Sequence, residues 1–178
     1  MSRIGKKPIP FDSKVEVSLK ENMLRVKGPK GTLEQAIHPK ITVRIEKNVI
    51  TVERADDEKA TKALHGLFRA LIHNMVTGVT TGFSRVLEVK GTGYKFEMKG
   101  NKLSFLLGFS HPVEFDIPKG ITAEVKPGEL TLTAADKQLL GDFSSKIKAL
   151  RPVEPYKAKG ISYRGQVIRR KAGKAAGK

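Results

Sequence analysis

Hydrophobic and polar residues alternate along short stretches in the first third of the chain. The alternating stretches cover residues 15–19, 24–27, 32–37, 41–45 and 49–53. A period of two indicates β-strands with one buried face. Turn-forming residues, such as Gly28-Pro29-Lys30-Gly31, separate the stretches and favour antiparallel pairing. The pattern therefore predicts an antiparallel sheet with one face in water.

The hydrophobic period then lengthens to three and four residues, which indicates an amphipathic helix. The positions on its apolar face are Ala60, Leu64, Leu67, Phe68, Leu71, Met75 and Val76. Asp56, Asp57 and Glu58 come just before them, where carboxylates cap free N–H groups and complement the helix dipole. Gly78 is predicted to end this helix.

The same plan recurs after residue 83. Ile121–Val125 repeats Ile41–Ile45, and Leu130–Thr133 repeats Ile50–Glu53, both with an offset of 80 residues. A further match relates Leu87–Gly91 to Leu24–Gly28, and we interpret a hairpin at 94–98 and 103–107 as an addition to the second copy. The second helix carries its apolar face at Leu140, Phe143, Ile147 and Leu150, and Pro152 ends it.

This repeat predicts an α+β fold of two similar tandem domains. Each domain is an antiparallel sheet with a helix packed across one face. We expect the first at residues 1–81, opening with a basic N-terminal arm (1–14), and the second at 82–152. A basic C-terminal extension of the second domain follows at 153–178.

The net charge of the chain and its distribution indicate an anionic binding partner, which the pattern of strands and helices does not. The chain of 178 residues has 34 Lys and Arg against 18 Asp and Glu, a net charge of +16. Half of this excess lies in residues 151–178, which hold nine basic residues and one acidic residue. Self-repulsion on this scale opposes compactness unless an anion offsets it, which favours a nucleic-acid partner.

The segment from Arg151 to Lys171 combines the features that RNA contact requires. Pro152 and Pro155 stiffen the backbone, while Tyr156 and Tyr163 lie among the cations. Cations bind phosphates and aromatic rings stack on unpaired bases. The basic residues of the segment are Arg151, Lys157, Lys159, Arg164, Arg169, Arg170 and Lys171.

A solvated basic tail is the alternative for this segment, but such a tail has no need of Ile161, Val167 or Ile168. Since neither predicted helix lies in residues 151–178, their removal is expected to abolish specific RNA binding while both domains stay folded.

The sequence contains no recognisable catalytic or metal-binding motif. Absence of cysteine excludes disulfides, cysteine-ligated zinc and thiol catalysis. The four histidines lack metal-type spacing, and no phosphate-binding loop or nucleophile motif stands among the glycines. No apolar run reaches the roughly 20 residues of a membrane span, and no secretory signal opens the chain. We therefore expect a soluble cytoplasmic protein with no enzymatic activity, cofactor, metal, membrane or small-molecule substrate.

Several motifs in order resemble those of one family, the bacterial-type sixth protein of the large ribosomal subunit. The quoted motifs are Ser2–Pro8, Val26–Gly31, His65-Gly66, Gly91–Tyr94, Gly108–Pro112, Pro155–Ile161 and Val167–Lys171. At Pro155–Ile161 the family usually has Pro-Tyr-Lys-Gly-Lys-Gly, and Ala158 replaces its first glycine. This departure leaves the contact chemistry intact unless the position requires a positive φ.

The resemblance implies a fold of two similar α+β domains and a structural role without chemistry. It implies binding to 23S ribosomal RNA, mostly through the second domain, near the sarcin–ricin loop and the stalk base. Translational GTPases dock there, beside neighbouring large-subunit proteins.

The resemblance also implies RNA contacts at particular residues. By motif the expected contacts are Tyr156, Lys157, Lys159 and Gly160. By charge they extend to Arg164, Arg169, Arg170 and Lys171, and a second group comprises Lys90, Gly91, Gly93, Tyr94 and Lys95.

Composition alone leaves two further hypotheses open: a free-standing nucleic-acid binder and an RNA-processing enzyme. Co-sedimentation with ribosomes separates the first of these from a ribosomal protein. Activity of the purified protein on RNA would support the second.

Overall fold

A computed structural model describes residues 5–174. The chain divides into two compact units, one formed by residues 5–82 with 135–137 and the other by residues 83–134 with 138–174. The start of the expected N-terminal arm (1–4) and the end of the expected extension (175–178) lie outside the described residues.

The first unit has two three-stranded antiparallel sheets, with strand orders β1-β6-β5 and β2-β3-β4. A helix, α1, contacts strands of both sheets. Leu24 and Val26 are fully buried while the residues beside them are exposed, so the period of two predicted this sheet correctly. The bounds are β1 Ile9–Pro10, β2 Glu16–Lys20, β3 Met23–Gly28, β4 Gly31–Ala36, β5 Ile41–Glu46, β6 Val49–Arg54 and α1 Lys59–Thr80.

Two sequence-based expectations for this unit are corrected. Ile9 of the expected arm is fully buried and pairs with Ile50, so residues 9–10 are an edge strand of the unit. Leu67 is 51% exposed, whereas Ile72 and Val79 are fully buried on α1. The buried face of α1 is thus rotated about the helix axis relative to the apolar face predicted from the sequence.

The ends of α1 also differ from expectation. Of the three predicted acids, Asp56 accepts a hydrogen bond from the Glu58 N–H (3.1 Å), whereas the side chain of Glu58, the N-cap residue, makes no capping hydrogen bond. The Arg54 guanidinium donates to Asp57 (2.7 Å) and holds the pKa of that carboxyl below its usual range. The helix continues past Gly78 to Thr80 and stops at Gly82, whose φ is 76° and whose N–H donates to the Thr77 carbonyl (3.1 Å).

The second unit also has two antiparallel sheets, ordered β11-β12-β7-β13 and β10-β9-β8, and one helix. Leu140, Phe143 and Ile147 of the helix share a core with fully buried Leu87 and Leu130, as the apolar spacing predicted. The bounds are β7 Phe83–Lys90, β8 Lys95–Lys99, β9 Lys102–Leu106, β10 Val113–Asp116, β11 Ile121–Lys126, β12 Glu129–Ala134, α2 Lys137–Leu150 and β13 Gly160–Tyr163.

Strand registers confirm the 80-residue repeat. Ile41 faces Arg54 in the first unit, and Ile121 faces Ala134 in the second, with the rest of both strand pairs in step. The α+β fold of two similar tandem domains is thereby confirmed.

The same registers correct two details of the repeat. Leu87 pairs with Leu130 as Ile9 pairs with Ile50, so Leu87 corresponds to Ile9 and not to Leu24. The hairpin β8–β9 is also no addition to the second unit. With β10 it forms a three-stranded meander like β2-β3-β4, and the N–H groups of Ile37 and Ile117 close the two meanders in the same way.

Neither helix in the described part of the chain combines the length and hydrophobicity that crossing a membrane requires.

Candidate nucleic-acid interface

The basic C-terminal segment begins by folding back onto the second unit. Strand β13 pairs antiparallel with β7, placing Ile161 opposite Val89, and Ile161 is fully buried. Its N–H donates to the Arg151 carbonyl (2.8 Å), and Pro152 forms a parallel bridge with it. Residues 160–163 are therefore part of the packed unit and not a solvated tail. This contradicts the expectation that residues 151–178 can be removed without cost to the fold.

Backbone hydrogen bonds close residues 154–159 into a compact loop, here called the basic loop. The Glu154 N–H donates to the Lys159 carbonyl (2.9 Å), and the Ala158 N–H donates to the Glu154 carbonyl (3.1 Å). Ala158 is buried with φ = 56°, so the position does require a left-handed backbone. That conformation costs an alanine about 1–2 kcal/mol. The loop keeps its shape despite the departure from glycine.

Gly160 has a structural reason to be glycine. A Cβ atom at this position would lie 2.7 Å from the Pro152 carbonyl oxygen and 2.8 Å from Val153 Cα. Gly160 is itself buried, with φ = 138°. Gly160 thus contributes to a binding surface by allowing two backbone segments to approach each other closely.

The aromatic and basic side chains of the basic loop are exposed. Tyr156 is 54% exposed, and Lys157 and Lys159 on the same loop are exposed as well. The Lys171 N–H donates to the Pro155 carbonyl (3.0 Å), which returns the chain to the loop after β13. Arg169 and Arg170 precede this bond and are exposed. Five predicted cations of the C-terminal segment therefore lie on the basic loop, which carries one exposed tyrosine, or on the chain that returns to it.

The second predicted group of residues lies beside the first. Lys90 pairs with Gly160 across β7 and β13, and the Lys159 ammonium donates to the Thr92 hydroxyl (3.5 Å). Gly91 packs against the half-buried Tyr94 ring, leaving no room for a Cβ.

Two other members of that group lie on the adjoining turn and strand. Gly93 takes φ = 76° in the turn before β8, and Lys95 opens that strand with an exposed side chain.

An arginine and an exposed aromatic residue extend this surface. The Arg151 guanidinium carbon lies 6.0 Å from the centre of the Tyr94 ring and 5.5 Å from that of Phe109. Phe109 is 43% exposed. Phe109 was not among the contacts predicted from the sequence, although this residue lies inside the family motif Gly108–Pro112. An aromatic residue between turn residues was the available signal.

Ion pairs distinguish the cations of this surface. Arg164 lies 3.9 Å from Glu88 and 3.8 Å from Glu129, and Lys90 lies 3.6 Å from Glu88. Because the Lys90 and Arg164 side chains are 61% and 63% exposed, these pairs hold the cations only weakly. Within residues 5–174 the remaining predicted cations have no carboxylate within 4.0 Å; they are Lys95, Arg151, Lys157, Lys159, Arg169, Arg170 and Lys171.

Tyr163 differs from Tyr156. It is half-buried, and its hydroxyl lies 3.4 Å from the Ser144 hydroxyl on α2. The Arg85 guanidinium carbon and the Lys148 ammonium nitrogen lie 4.9 and 4.7 Å from its ring centre. The Tyr163 ring is thus engaged within the unit, whereas Tyr156 and Phe109 are exposed aromatic residues of this surface.

The described part of the chain contains no group of three or more His, Asp or Glu residues able to hold a metal ion. What the surface offers is unpaired positive charge, two exposed aromatic rings and a braced backbone.

Fold and surface together define a class: a basic protein of two repeated α+β units with a surface suited to a polyanion. The chain belongs to the ribosomal protein L6 family, whose sequence model matches residues 11–82 and 90–164.

Relatives match over the full length of both chains. The large ribosomal subunit protein uL6 of Dictyoglomus thermophilum is 52% identical over 180 residues. Those of Syntrophomonas wolfei and Chloroherpeton thalassium are 54% and 50% identical over 179 residues.

Proposed function

We propose that this chain is a structural component of the large ribosomal subunit and binds ribosomal RNA through the surface of its second unit. The observation that carries the proposal is the basic loop, which presents Tyr156, Lys157 and Lys159 on a closed backbone beside further unpaired cations. Membership of the L6 family, and full-length relatives named as large-subunit proteins, support the assignment to the large subunit. The chain accordingly works in the ribosomes of the cytoplasm, beside other ribosomal proteins.

The surface suits RNA for two physical reasons. Unpaired Lys and Arg side chains release counterions when they bind phosphates, which supplies affinity without base recognition. Exposed aromatic rings stack on bases that are not paired, which is how proteins commonly read RNA loops. Because hydrogen bonds already close the basic loop, little conformational entropy is lost when it binds.

The finer location is also part of the proposal. The RNA is 23S ribosomal RNA, the contact lies near the sarcin–ricin loop and the stalk base, and translational GTPases dock nearby. The motif resemblance and the family membership support this location. In this role the protein braces RNA and performs no reaction.

Binding of the purified full chain to a 23S rRNA transcript tests the RNA-binding part. The double variant Lys157→Ala/Lys159→Ala should weaken binding roughly tenfold or more, since both phosphate contacts are removed. The matched control is Lys119→Ala/Lys126→Ala, which removes two exposed cations outside the proposed surface. Equal losses in the two double variants would mean that total charge, and not this surface, holds the RNA.

Crosslinking tests the finer location. A photoreactive phenylalanine analogue in place of Tyr156 should crosslink, within intact large subunits, to nucleotides at or beside the sarcin–ricin loop. Crosslinks confined to a distant part of the 23S rRNA would overturn the location while leaving RNA binding in place.

A further inference from the structure

Two cations share one aromatic ring at the junction of β7, β13 and α2. The Arg85 guanidinium carbon lies 4.9 Å from the centre of the Tyr163 ring, and the Lys148 ammonium nitrogen lies 4.7 Å from it. Cations are attracted to the face of a tyrosine ring within about 6 Å. Neither Arg85 nor Lys148 was among the residues expected from the sequence to contact RNA.

Neighbouring elements fix these three side chains. Arg85 faces Leu132 on β12, in the middle of the four-stranded sheet, and Tyr163 faces Leu87 on the adjoining strand. The Tyr163 hydroxyl lies 3.4 Å from Ser144, one turn of α2 before Lys148. Lys148 stands in the last turn of α2, where a cation complements the helix dipole. The ring centre thus lies 4.9 Å from a strand cation and 4.7 Å from a helix cation.

The charge of this cluster is not neutralised. Across residues 5–174, no carboxylate lies within 4.0 Å of Arg85 or Lys148. A ring attracts cations but carries no net charge, so it does not cancel the repulsion between the two like charges. An anion that contacts both side chains would reduce that repulsion.

A phosphate group is the anion that this pair fits. Arginine forms paired hydrogen bonds to phosphate oxygens, and lysine adds a compact point charge. Arg85 is exposed and Lys148 is partly exposed, so both can reach a ligand from solvent.

We propose that Arg85 and Lys148, positioned by Tyr163, form a second phosphate-binding point for the RNA backbone, separate from the residues of the basic loop. The inference rests on the proposed function, because the phosphate belongs to the ribosomal RNA. In this proposal Tyr163 is a positioning residue, which holds two cations in place and does not itself contact a base.

The test measures binding of the full chain to a 23S rRNA transcript across a range of salt concentrations. Arg85→Gln and Lys148→Gln should each weaken binding several-fold and lower the magnitude of the log K against log salt slope by about 1. Arg85→Lys and Lys148→Arg keep the charge and should keep the slope. Lys119→Gln serves as a control, since it removes an exposed cation far from the ring in sequence and is expected to leave the slope unchanged.

Each outcome decides one question. An unchanged slope in both glutamine variants, with wild-type binding intact, would overturn the phosphate site and leave the proposed function standing. Absence of wild-type binding would instead count against the proposed function. Tyr163→Phe keeps the ring and should keep the slope, while Tyr163→Leu, if folded by circular dichroism, should lower affinity as the glutamine variants do. A Tyr163→Leu variant with wild-type affinity would overturn the positioning role.

Discussion

Gly160 shows how one residue shapes the surface without presenting a side chain to it. The chain passes so close to residues 151–153 that a single methyl group would meet their backbone. The sequence motif singled out Gly160 as an RNA contact, and that remains a prediction. Its burial adds a packing reason that the sequence alone did not contain, because the Pro152–Ile161 bridge and the bond from the Ile161 N–H to the Arg151 carbonyl bring the two segments together.

Gly160→Ala should therefore destabilise the protein by roughly 2–5 kcal/mol, through backbone strain and steric overlap. The matched control is Gly165→Ala, where φ is 76° but no atom lies within 4 Å of the added methyl group. The control should lose roughly 1–2 kcal/mol from the left-handed conformation alone. Urea unfolding of the two variants measures the difference, and equal losses would show that close approach at Gly160 is unimportant.

Tyr156→Ala should lower the affinity for 23S rRNA roughly tenfold to a hundredfold, since a stacked base contributes about 1–3 kcal/mol. Stability should be unchanged because more than half of the ring is exposed. Tyr156→Phe should keep the affinity. Val167→Ala, at a position 89% exposed in the same segment, provides the control, and a similar loss there would argue against stacking by Tyr156.

Sequence could identify the tyrosines at this scale but could not tell them apart. Tyr156 and Tyr163 lie in equally basic surroundings, yet one lies on a loop and the other on a strand at the core. The difference depends on the pairing of β13 with β7, which joins residues more than 70 positions apart. Local patterns of charge and hydrophobicity do not encode such a distant contact.

Strand β13 is the element on which the surface depends. It completes the four-stranded sheet, buries Ile161 and fixes both ends of the basic loop. The sequence predicted the other strands of this sheet from alternation, but β13 has only four residues, and three of these are buried. A run this short and without alternation gives no β-signal, so the segment resembled an extension.

Two truncations separate the strand from the residues after it. A chain ending at Leu150 should lose the cooperative folding of the second unit, because Ile161 and the edge pairing are removed. A chain ending at Gly165 keeps β13 and should remain folded, with weaker RNA binding from the loss of Arg169, Arg170 and Lys171. Amide hydrogen exchange in β7 and β12 reports on both, and equal protection in the two truncated chains would contradict this role for β13.

The repeat was predicted correctly where two whole strand pairs share one sequence offset. It was predicted wrongly where the match consisted of one short motif. The pairs β5–β6 and β11–β12 align at 80 residues throughout. The match of Leu87–Gly91 to Leu24–Gly28 paired strands with different partners. Five residues of alternating type are common to many strands, so that likeness carried no topological information.

Charge is the property that belongs to the whole molecule. A net charge of +16 on 178 residues is distributed over both units and concentrated at the C-terminal end. Composition alone predicted an anionic partner, and membership of a ribosomal protein family agrees with that class of partner. It could not choose between ribosomal RNA and another nucleic acid, because counterion release favours the binding of a basic protein to either.

The salt dependence of RNA binding measures how many of these positive charges contact phosphates. If about six phosphates are neutralised, log K should fall with log salt at a slope of roughly −4 to −5. Nitrocellulose filter binding of the full chain to 23S rRNA, between low and moderate salt, gives the slope. A slope near zero would mean that electrostatic contact does not hold the complex.

Sucrose-gradient sedimentation of a lightly tagged full chain from cell lysate, at moderate and high salt, tests the assignment to the large ribosomal subunit. We predict one copy per large subunit, retained through the high-salt wash. Recovery mainly at the top of the gradient would contradict it and would favour a free nucleic-acid binder with the fold of the family but not its place in the ribosome.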